Sequence, residues 1–231
     1  MIKQHQSLAE KYRISKYIDI IKQDAAVEEI KKFIKEFPKK KAMILYGPAG
    51  TGKTSLALAA ARENELEVLE LNSSDLRNRV KLEAILKPAA EQRSLFKKGK
   101  ILLVDEVDGV TGTDIGGISE IIRLLESTKF PIIMTCNDVW QSKLSQLRQK
   151  CKIVEMKTLQ TATIFGILKK IAEKEGMRKE DESLQKIAIK SQGDIRAALN
   201  DLQSYASGDG ISVDVNEKRD VEDNIFNIMK L

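Results

Sequence analysis

The eight residues from 47 to 54 place glycine, lysine and threonine at the spacing of a phosphate-binding loop. They read Gly-Pro-Ala-Gly-Thr-Gly-Lys-Thr and fit the pattern G-x-x-x-x-G-K-[ST] at every fixed position. Glycines let the backbone curl so that successive N–H groups point at one anion. Lys53 would add a positive charge for the β- and γ-phosphates of ATP, and Thr54 a hydroxyl for Mg²⁺. The predicted nucleotide-binding residues of this segment are Gly47, Pro48, Ala49, Gly50, Thr51, Gly52, Lys53, Thr54 and Ser55.

An acidic pair, Asp105-Glu106, follows the apolar run from 101 to 104. At the end of a strand beside a phosphate loop, Asp105 could hold Mg²⁺ through its water shell, and Glu106 could polarise a water for attack on the γ-phosphate. Acidic pairs often cap strands, so the pair is a weak signal alone. Because a phosphate loop precedes it, we assign Thr54 and Asp105 to the metal and Glu106 to catalysis, together with Lys53.

Two further polar residues are candidates for the same site. Asn137 follows an apolar run at 131–135 and could orient the attacking water, since ligands of such sheets bind at the strands' carboxyl ends. A turn-forming Asn-Asp is the alternative. Asp194 is a predicted helix N-cap, which places Arg196 in the first turn, where a cation is unfavourable. That position favours an anionic partner such as the γ-phosphate; a solvated arginine is the alternative.

Apolar runs alternate with helical patterns over the first two thirds of the chain, which predicts an α/β fold with a parallel sheet covered on both faces. Predicted strands are 42–46, 67–71, 101–104, 131–135 and 152–156. Predicted helices between and before them are 26–37, 53–63, 79–93, 117–127 and 141–147. After residue 158 only helices follow, at 161–175, 181–190 and 194–206. The predicted domains are therefore 1–158 for nucleotide binding, 159–208 as a small helical lid, and 209–231 as a linker with an amphipathic helix.

Composition favours a soluble globular chain without a membrane partner. Of 231 residues, 42% are hydrophobic and 32% charged, and no apolar run approaches the roughly 20 residues that span a bilayer. No secretory signal is recognisable, so we expect a cytoplasmic protein. Cys136 and Cys151 lack metal-ligand spacing, which favours a reduced compartment without structural zinc. The net charge of +5 permits a nucleic-acid partner without requiring one.

Four segments resemble the AAA+ ATPase module of clamp loader subunits, the replication factor C family, and most closely its archaeal large subunit. Glu10-Lys11-Tyr12-Arg13 resembles the family's Glu-Lys-Tyr-Arg-Pro box, with Ile14 in place of proline. The other segments are Leu71–Asp75, Asp105–Gly109 and Gly193–Gln203. The resemblance covers about residues 8–230. It implies an αβα sandwich with a five-stranded parallel sheet and a helical lid, and it adds Tyr12 and Arg13 to the nucleotide-binding residues.

The resemblance also implies an activity and partners. Such a subunit is an ATP hydrolase, weak without its partner subunits, that helps load a sliding clamp (PCNA) onto primed DNA in replication. The partners would be the small subunits, the clamp, and the junction of double- and single-stranded DNA. By the same resemblance, backbone contacts to DNA would come from Arg77, Arg79, Lys81 and Lys143, for which an ordinary solvated basic face is the alternative.

Two departures from the family bear on the type of subunit. Small subunits carry Ser-Arg-Cys, whose arginine reaches a neighbour's ATP, whereas Gln149 and Lys150 precede Cys151 here. Large subunits are similar to this chain in that respect, so Arg148 is not assigned as an arginine that reaches a neighbour's ATP. The chain also ends at Leu231, where the family's collar domain would begin, and it lacks a Q-x-x-h-x-x-a-a clamp motif. A split gene product, a truncated chain and a reduced subunit all stay open, and an apolar stripe in 221–229 suggests docking on a separate chain that supplies the collar.

Two other functions stay open on the sequence. One is another AAA+ ATPase that remodels DNA, although an origin binder should append a DNA-reading domain and none is recognisable. The other is a nucleotide-gated scaffold with little hydrolysis, against which the presence of Glu106 argues.

Overall fold

The computed structural model describes residues 6–72, 97–109, 115–177 and 180–206, of which 72 and 115–117 are described by their backbone alone. The described residues belong to two compact units. One runs from Ile14 to Lys157, and the other combines the segment up to Arg13 with the segment from Thr158 onwards. None of the helices in the described part of the chain has the length and apolar content that crossing a membrane requires.

Five parallel strands form the sheet of the first unit, in the order β2-β3-β4-β1-β5. Their bounds are β1 Ala42–Tyr46, β2 Leu66–Asn72, β3 Gly99–Asp105, β4 Ile132–Cys136 and β5 Lys152–Glu155. Each predicted strand overlaps an observed one. Every residue of β4 is buried, as expected of a central strand covered on both faces.

Eight α-helices are described, together with three short 3₁₀ turns at Tyr17–Asp19, Val107–Gly109 and Ser142–Leu144. The α-helices are α1 Leu8–Lys11, α2 Asp24–Glu36, α3 Lys53–Glu63, α4 Ile115–Ser127, α5 Ser145–Lys150, α6 Thr161–Lys174, α7 Asp181–Lys190 and α8 Ile195–Ala206. Helix α2 ends before Pro38, since the residue preceding a proline is disfavoured in helical conformation.

Alternate residues of the central strands enter two separate cores, which makes the first unit a three-layer sandwich. On one face Ile44 and Met134 pack with Ile121 and Leu124 of α4. On the other face a second set of strand and helix residues packs together, including Met43, Leu45, Leu103, Ile30, Phe33, Leu56 and Ala60. Helices α2 and α3 thus cover one face and α4 the other, and the predicted αβα fold class with its five-stranded parallel sheet is confirmed.

The segment after β4 differs from the predicted helix at 141–147. A 3₁₀ turn at Ser142–Leu144 comes first, and α5 then runs to Lys150. Leu144 and Leu147 are both buried in the core. Residues three apart lie on one face of a 3₁₀ helix as well as of an α-helix, so their spacing does not distinguish the two. The predicted helix at 79–93 lies outside the described residues, as does the predicted region 209–231.

The second unit is a helical bundle of α1, α6, α7 and α8 around one apolar cluster. The sequence placed the N-terminal segment in the nucleotide-binding domain, 1–158, but its described residues up to Arg13 belong to this helical unit. Leu8 is only 5% exposed and lies in the helical core, and its N–H donates to Gln203 Oε1 at 2.7 Å. A single buried leucine in a four-residue helix leaves too short a pattern for the sequence to reveal this.

Candidate functional site

Three glycines shape the loop between β1 and α3. Gly47, Gly50 and Gly52 have φ angles of 146°, 68° and 94°, which glycine adopts without steric cost. At Gly47 a Cβ atom would also lie 2.1 Å from the carbonyl oxygen of Met156, so a side chain is excluded there. Gly52 is the N-cap of α3 and offers no capping side chain. The first N–H groups of α3 can therefore bind an anion.

The remaining loop residues close the turn or open to solvent. Thr51 is buried, and its hydroxyl donates to the carbonyl oxygen of Pro48 at 2.9 Å. Pro48 and Ala49 are exposed, while Ser55 is half-buried in the first turn of α3. The predicted loop therefore runs without a break from the end of β1 into the first turn of α3.

Lys53 begins α3, and its ammonium group lies across the loop. Its Nζ donates to the carbonyl oxygens of Gly47 at 2.7 Å and Pro48 at 2.8 Å, and to Asn137 Oδ1 at 3.0 Å. Burial lowers the pKa of Lys53, and nearby acidic groups act in the opposite direction. All three acceptors are neutral oxygens, so a phosphate anion would be a stronger partner than any of them.

Thr54 and Asp105 meet although they lie on different elements. The Thr54 hydroxyl, in the first turn of α3, donates to Asp105 Oδ1 at 3.0 Å, with Oδ2 at 3.3 Å, and Asp105 ends β3. Hydroxyl and carboxylate oxygens are the hard ligands that Mg²⁺ prefers. No group of three or more His, Cys, Asp or Glu side chains suited to a metal occurs among the described residues. This sparse oxygen set fits Mg²⁺, which commonly takes one or two protein ligands and completes its shell with waters and substrate phosphates.

Glu106 leaves the sheet immediately after Asp105 with an uncommon backbone. Its φ is 55°, in the left-handed region that non-glycine residues rarely adopt. Its side chain is exposed, while its carbonyl oxygen accepts from Gly109 N–H at 2.8 Å and so joins the 3₁₀ turn that follows. The carboxylate is therefore presented outward at the carboxyl edge of the sheet.

Thr135 on β4 contacts both acidic residues and was missed by the sequence analysis. Its hydroxyl accepts from Glu106 N–H at 3.0 Å and donates to Asp105 Oδ1 in a short hydrogen bond. The side chain is 1% exposed. A signal was present in the sequence: Thr135 stands as far along its apolar run as Asp105 does along its own, so adjacent parallel strands would place the two side by side.

Asn137, just after β4, is held from two directions. Its Oδ1 accepts from Lys53, and its backbone N–H donates to Asp108 Oδ2 at 2.8 Å. The same oxygen accepts from Asp138 N–H at 3.3 Å. Asp108 was not among the predicted site residues, because its role depends on a loop that is distant in sequence. Lys143, a predicted DNA contact, donates from Nζ to the carbonyl oxygen of Asp108.

The structure brings together one group of predicted residues at the carboxyl edge of the sheet, where parallel α/β folds bind ligands. This group consists of the loop from Gly47 to Ser55 with Asp105, Glu106 and Asn137. The predicted DNA contacts Arg77, Arg79 and Lys81 lie outside the described residues.

The other predicted nucleotide contacts belong to the helical unit. The Tyr12 hydroxyl donates to the Glu175 carboxylate, which raises the Tyr12 pKa, and Arg13 pairs with Glu10 at 3.4 Å. Arg196 is exposed in the first turn of α8.

The predicted cap of helix α8 is present. Ala197 N–H donates to Asp194 Oδ1 at 2.9 Å. This confirms Asp194 as the N-cap, and it leaves Arg196 at the helix end that disfavours a cation.

Both cysteines are buried and free of disulfides. Burial raises the pKa of Cys136 and of Cys151 to about 12. The thiols therefore stay protonated near neutral pH, which makes them poor nucleophiles, so neither is a candidate for covalent catalysis.

Two family models match the chain. One, the ATPase family associated with various cellular activities (AAA), matches residues 43–159. The chain belongs to this AAA family. The second, an RCF1/5-like AAA+ ATPase lid domain, matches residues 166–207. The AAA match contains the loop and the three polar residues grouped with it, and the lid match contains Arg196. Membership of an ATPase family accords with nucleotide binding at the loop.

Archaeal proteins named replication factor C large subunit align with most of this AAA protein. That of Staphylothermus marinus is 47% identical over 205 residues, which are 87% of this chain and 48% of the relative. Those of Aeropyrum pernix and Methanococcus maripaludis are 42% and 38% identical, over 87% and 96% of this chain and 43% and 48% of their own lengths. The predicted similarity to archaeal large subunits is confirmed. The chain spans about half the length of the curated relatives it matches.

Proposed function

We propose that this chain is an ATPase module of a DNA sliding clamp loader, of the large-subunit type. It would use ATP binding and hydrolysis to help load the clamp onto primer–template DNA in replication. The observation that carries the ATPase part is the meeting of Lys53, the Thr54–Asp105 pair and Asn137 at one edge of the sheet. Similarity to relatives named replication factor C large subunit supports the clamp loader part.

Each residue of the site has a proposed role in ATP hydrolysis. Lys53 exchanges its carbonyl partners for oxygens of the β- and γ-phosphates, which also contact the first N–H groups of α3. Thr54 and Asp105 hold Mg²⁺, which when bound neutralises phosphate charge. Glu106 polarises the attacking water, and Asn137 orients it. Hydrolysis of this kind depends mainly on positioning and charge neutralisation, so these groups suffice.

Three residues of the helical unit complete the proposed nucleotide site. Arg196 would contact the γ-phosphate, and Tyr12 and Arg13 would contact the nucleotide as in the family box they resemble. The support for Arg196 is its exposed position in the first turn of α8, where the helix dipole disfavours a cation unless an anion is close. Arg196→Ala should weaken ATP binding or turnover while leaving the cap at Asp194 intact.

The proposed partners are the clamp loader small subunits, the sliding clamp (PCNA) and a primed DNA junction, in the cytoplasm. Arg77, Arg79, Lys81 and Lys143 are proposed to contact the DNA backbone. For Lys143, the bond to the Asp108 carbonyl oxygen means that its ammonium also serves this chain's own loop.

The proposal is tested with two site variants and an equilibrium ATP-binding assay beside a turnover assay. Lys53→Ala should weaken ATP binding by about 100-fold, since it removes a charged partner of the phosphates. Glu106→Gln should keep binding and lose turnover by roughly 10²–10⁴-fold, because an amide cannot act as a base.

Matched controls come from the surface pair Lys98–Glu65, which is 3.0 Å apart and precedes β3 and β2 at the opposite edge of the sheet. Lys98→Ala and Glu65→Gln repeat the same changes of charge away from the site and should behave as wild type. If the folded wild-type chain did not bind ATP, or if Glu106→Gln lost ATP binding outright, the assigned roles would be wrong.

A further inference from the structure

We propose that Thr135 is a positioning residue of the proposed ATPase site, which sets the Mg²⁺-binding carboxylate of Asp105 and the backbone of Glu106 relative to each other. The inference rests on the proposed function. In this role Thr135 acts through its two acidic neighbours, Asp105 and Glu106.

The Thr135 hydroxyl makes both contacts, one as a hydrogen-bond donor and the other as an acceptor. A threonine hydroxyl has one hydrogen to donate and lone pairs to accept. Thr135 donates to Asp105 Oδ1 and accepts from Glu106 N–H at 3.0 Å. Thr54 donates to the same Asp105 oxygen at 3.0 Å. Two hydroxyls from two elements, α3 and β4, thus fix the carboxylate that would hold the metal.

Thr135 continues the link between β3 and β4 where their main-chain pairing ends. The last paired residues of these strands are Val104 and Met134. On the outer sides of the same two strands the pairing extends one residue further on β3, to Asp105, and two further on β4, to Cys136. The side chain of Thr135 therefore replaces a main-chain contact at the point where Glu106 turns out of the sheet.

Glu106 needs such an anchor because its backbone is in a costly conformation. A non-glycine residue at φ 55° persists only where surrounding contacts hold it. Without the hydroxyl, Glu106 N–H and Asp105 Oδ1 would each lose a partner beside a side chain that is 1% exposed. Serine would supply the same hydroxyl, whereas alanine and valine would not.

The test measures how Mg²⁺ promotes ATP binding, in the wild-type chain and in Thr135→Ser, Thr135→Ala and Thr135→Val. A fluorescent ATP analogue is titrated in excess EDTA, and Mg²⁺ is then titrated at fixed analogue. We expect Ala and Val to raise the Mg²⁺ concentration for half-maximal effect by about tenfold or more, as loss of a residue that orients metal ligands does. Ser should stay within about threefold, and binding in EDTA should change little in all three.

Two comparisons make the test specific. Ser and Ala differ only by the hydroxyl, so their difference isolates it from the lost methyl group. Ser191→Ala removes a buried hydroxyl, bonded to Ala188 O at 2.8 Å in the helical unit, and should leave the Mg²⁺ response unchanged. Circular dichroism on each variant verifies folding.

Every outcome decides the proposal. Equal Mg²⁺ responses in Ser and Ala would overturn it, whether both resemble wild type or both are impaired. Failure of Ala and Val to fold while Ser folds would also overturn it, since the hydroxyl would then serve folding instead of the site. By contrast, a wild-type chain that bound ATP without any Mg²⁺ effect would refute the proposed metal role itself, independently of Thr135.

Discussion

A single carboxylate, that of Asp108, links the turn after β3 to the loop after β4. It accepts from the backbone N–H groups of Asn137 at 2.8 Å and Asp138 at 3.3 Å. Asn137 Oδ1 in turn accepts from Lys53. The side chain proposed to orient the attacking water therefore depends on a further acidic residue in the turn after β3.

We predict that Asp108→Ala lowers the ATP turnover of the chain by roughly tenfold to a hundredfold, because small misplacements of an orienting group cost this much. The ATP dissociation constant should change far less, since Lys53 and the loop remain. The control is Asp138→Ala, whose carboxylate accepts from Trp140 N–H at 2.8 Å within its own turn. Equal losses in both variants would contradict the assigned role of Asp108.

The contrast between predicted and missed residues has a physical basis. Lys53 and Thr54 were predictable because a local run of eight residues determines their geometry, and Asp105 because it follows an apolar strand. Thr135 and Asp108 act through hydrogen bonds to residues that are far away in sequence. Thr135 and Asp105 are 30 residues apart, and Asn137 and Asp108 are 29 residues apart. Such contacts depend on strand order and register. The matching positions of Thr135 and Asp105 along their apolar runs therefore indicate a contact only once β3 and β4 are known to be neighbours.

At the scale of elements, Gly193 determines how α7 passes into α8. Its φ is 97°, and a Cβ atom there would lie 2.2 Å from Thr158 Cγ2. Gly176, after α6, has a φ of 65°, but no atom of the described residues lies within 4 Å of the corresponding position. Comparing substitutions at the two glycines therefore distinguishes the cost of a left-handed backbone from the cost of a steric clash within one helical unit.

We predict that Gly193→Ala destabilises the helical unit more than Gly176→Ala. Gly176→Ala should cost about 1–2 kcal/mol for a left-handed backbone, and overpacking should add about 1–3 kcal/mol at Gly193. Far-UV circular dichroism follows both units during denaturation, whereas the fluorescence of Trp140, the chain's only tryptophan, follows the first unit.

Removing the obstructing methyl group gives the matching rescue. Thr158→Ser should recover part of the stability of Gly193→Ala and none of that of Gly176→Ala. Equal destabilisation by the two glycine variants would show that the contact with Thr158 does not matter.

The elements differed in how well the sequence revealed them. The strands were predictable because they are short buried apolar runs that alternate with helices. The helix predicted at 141–147 was wrong in its bounds, because a 3₁₀ turn at Ser142–Leu144 precedes α5. The apolar spacing could not reveal this, since residues three apart lie on one face of either helix type. The N-terminal segment was assigned to the wrong unit because side-chain contacts hold it, including Lys11 Nζ to Glu175 at 2.7 Å, and local sequence carries no sign of them.

At the scale of the whole molecule, Arg148 is engaged by its own chain. Its NH1 donates to the carbonyl oxygens of Val139 at 2.7 Å and Gln141 at 3.0 Å. Its guanidinium also lies 5.4 Å from the ring centroid of Trp140. These contacts support leaving Arg148 out of any role at a neighbour's ATP, as the resemblance to large subunits implies.

The last prediction follows from the proposed assembly. If this chain is a large-subunit module, the arginine that completes its own ATP site comes from a neighbouring small subunit. Such an arginine contributes roughly 10³–10⁵ to the rate in related machinery. The isolated chain should therefore bind ATP with Mg²⁺ but turn it over slowly, and clamp loader small subunits with primed DNA should raise its turnover by about 100-fold or more.

Turnover is measured with small subunits that carry their own Lys→Ala loop substitution, so that only this chain's site contributes, and Glu106→Gln in this chain should abolish the increase. An isolated chain that already works at the rate of the mixture, or a mixture that co-elutes without any gain in turnover, would exclude a neighbour-completed site.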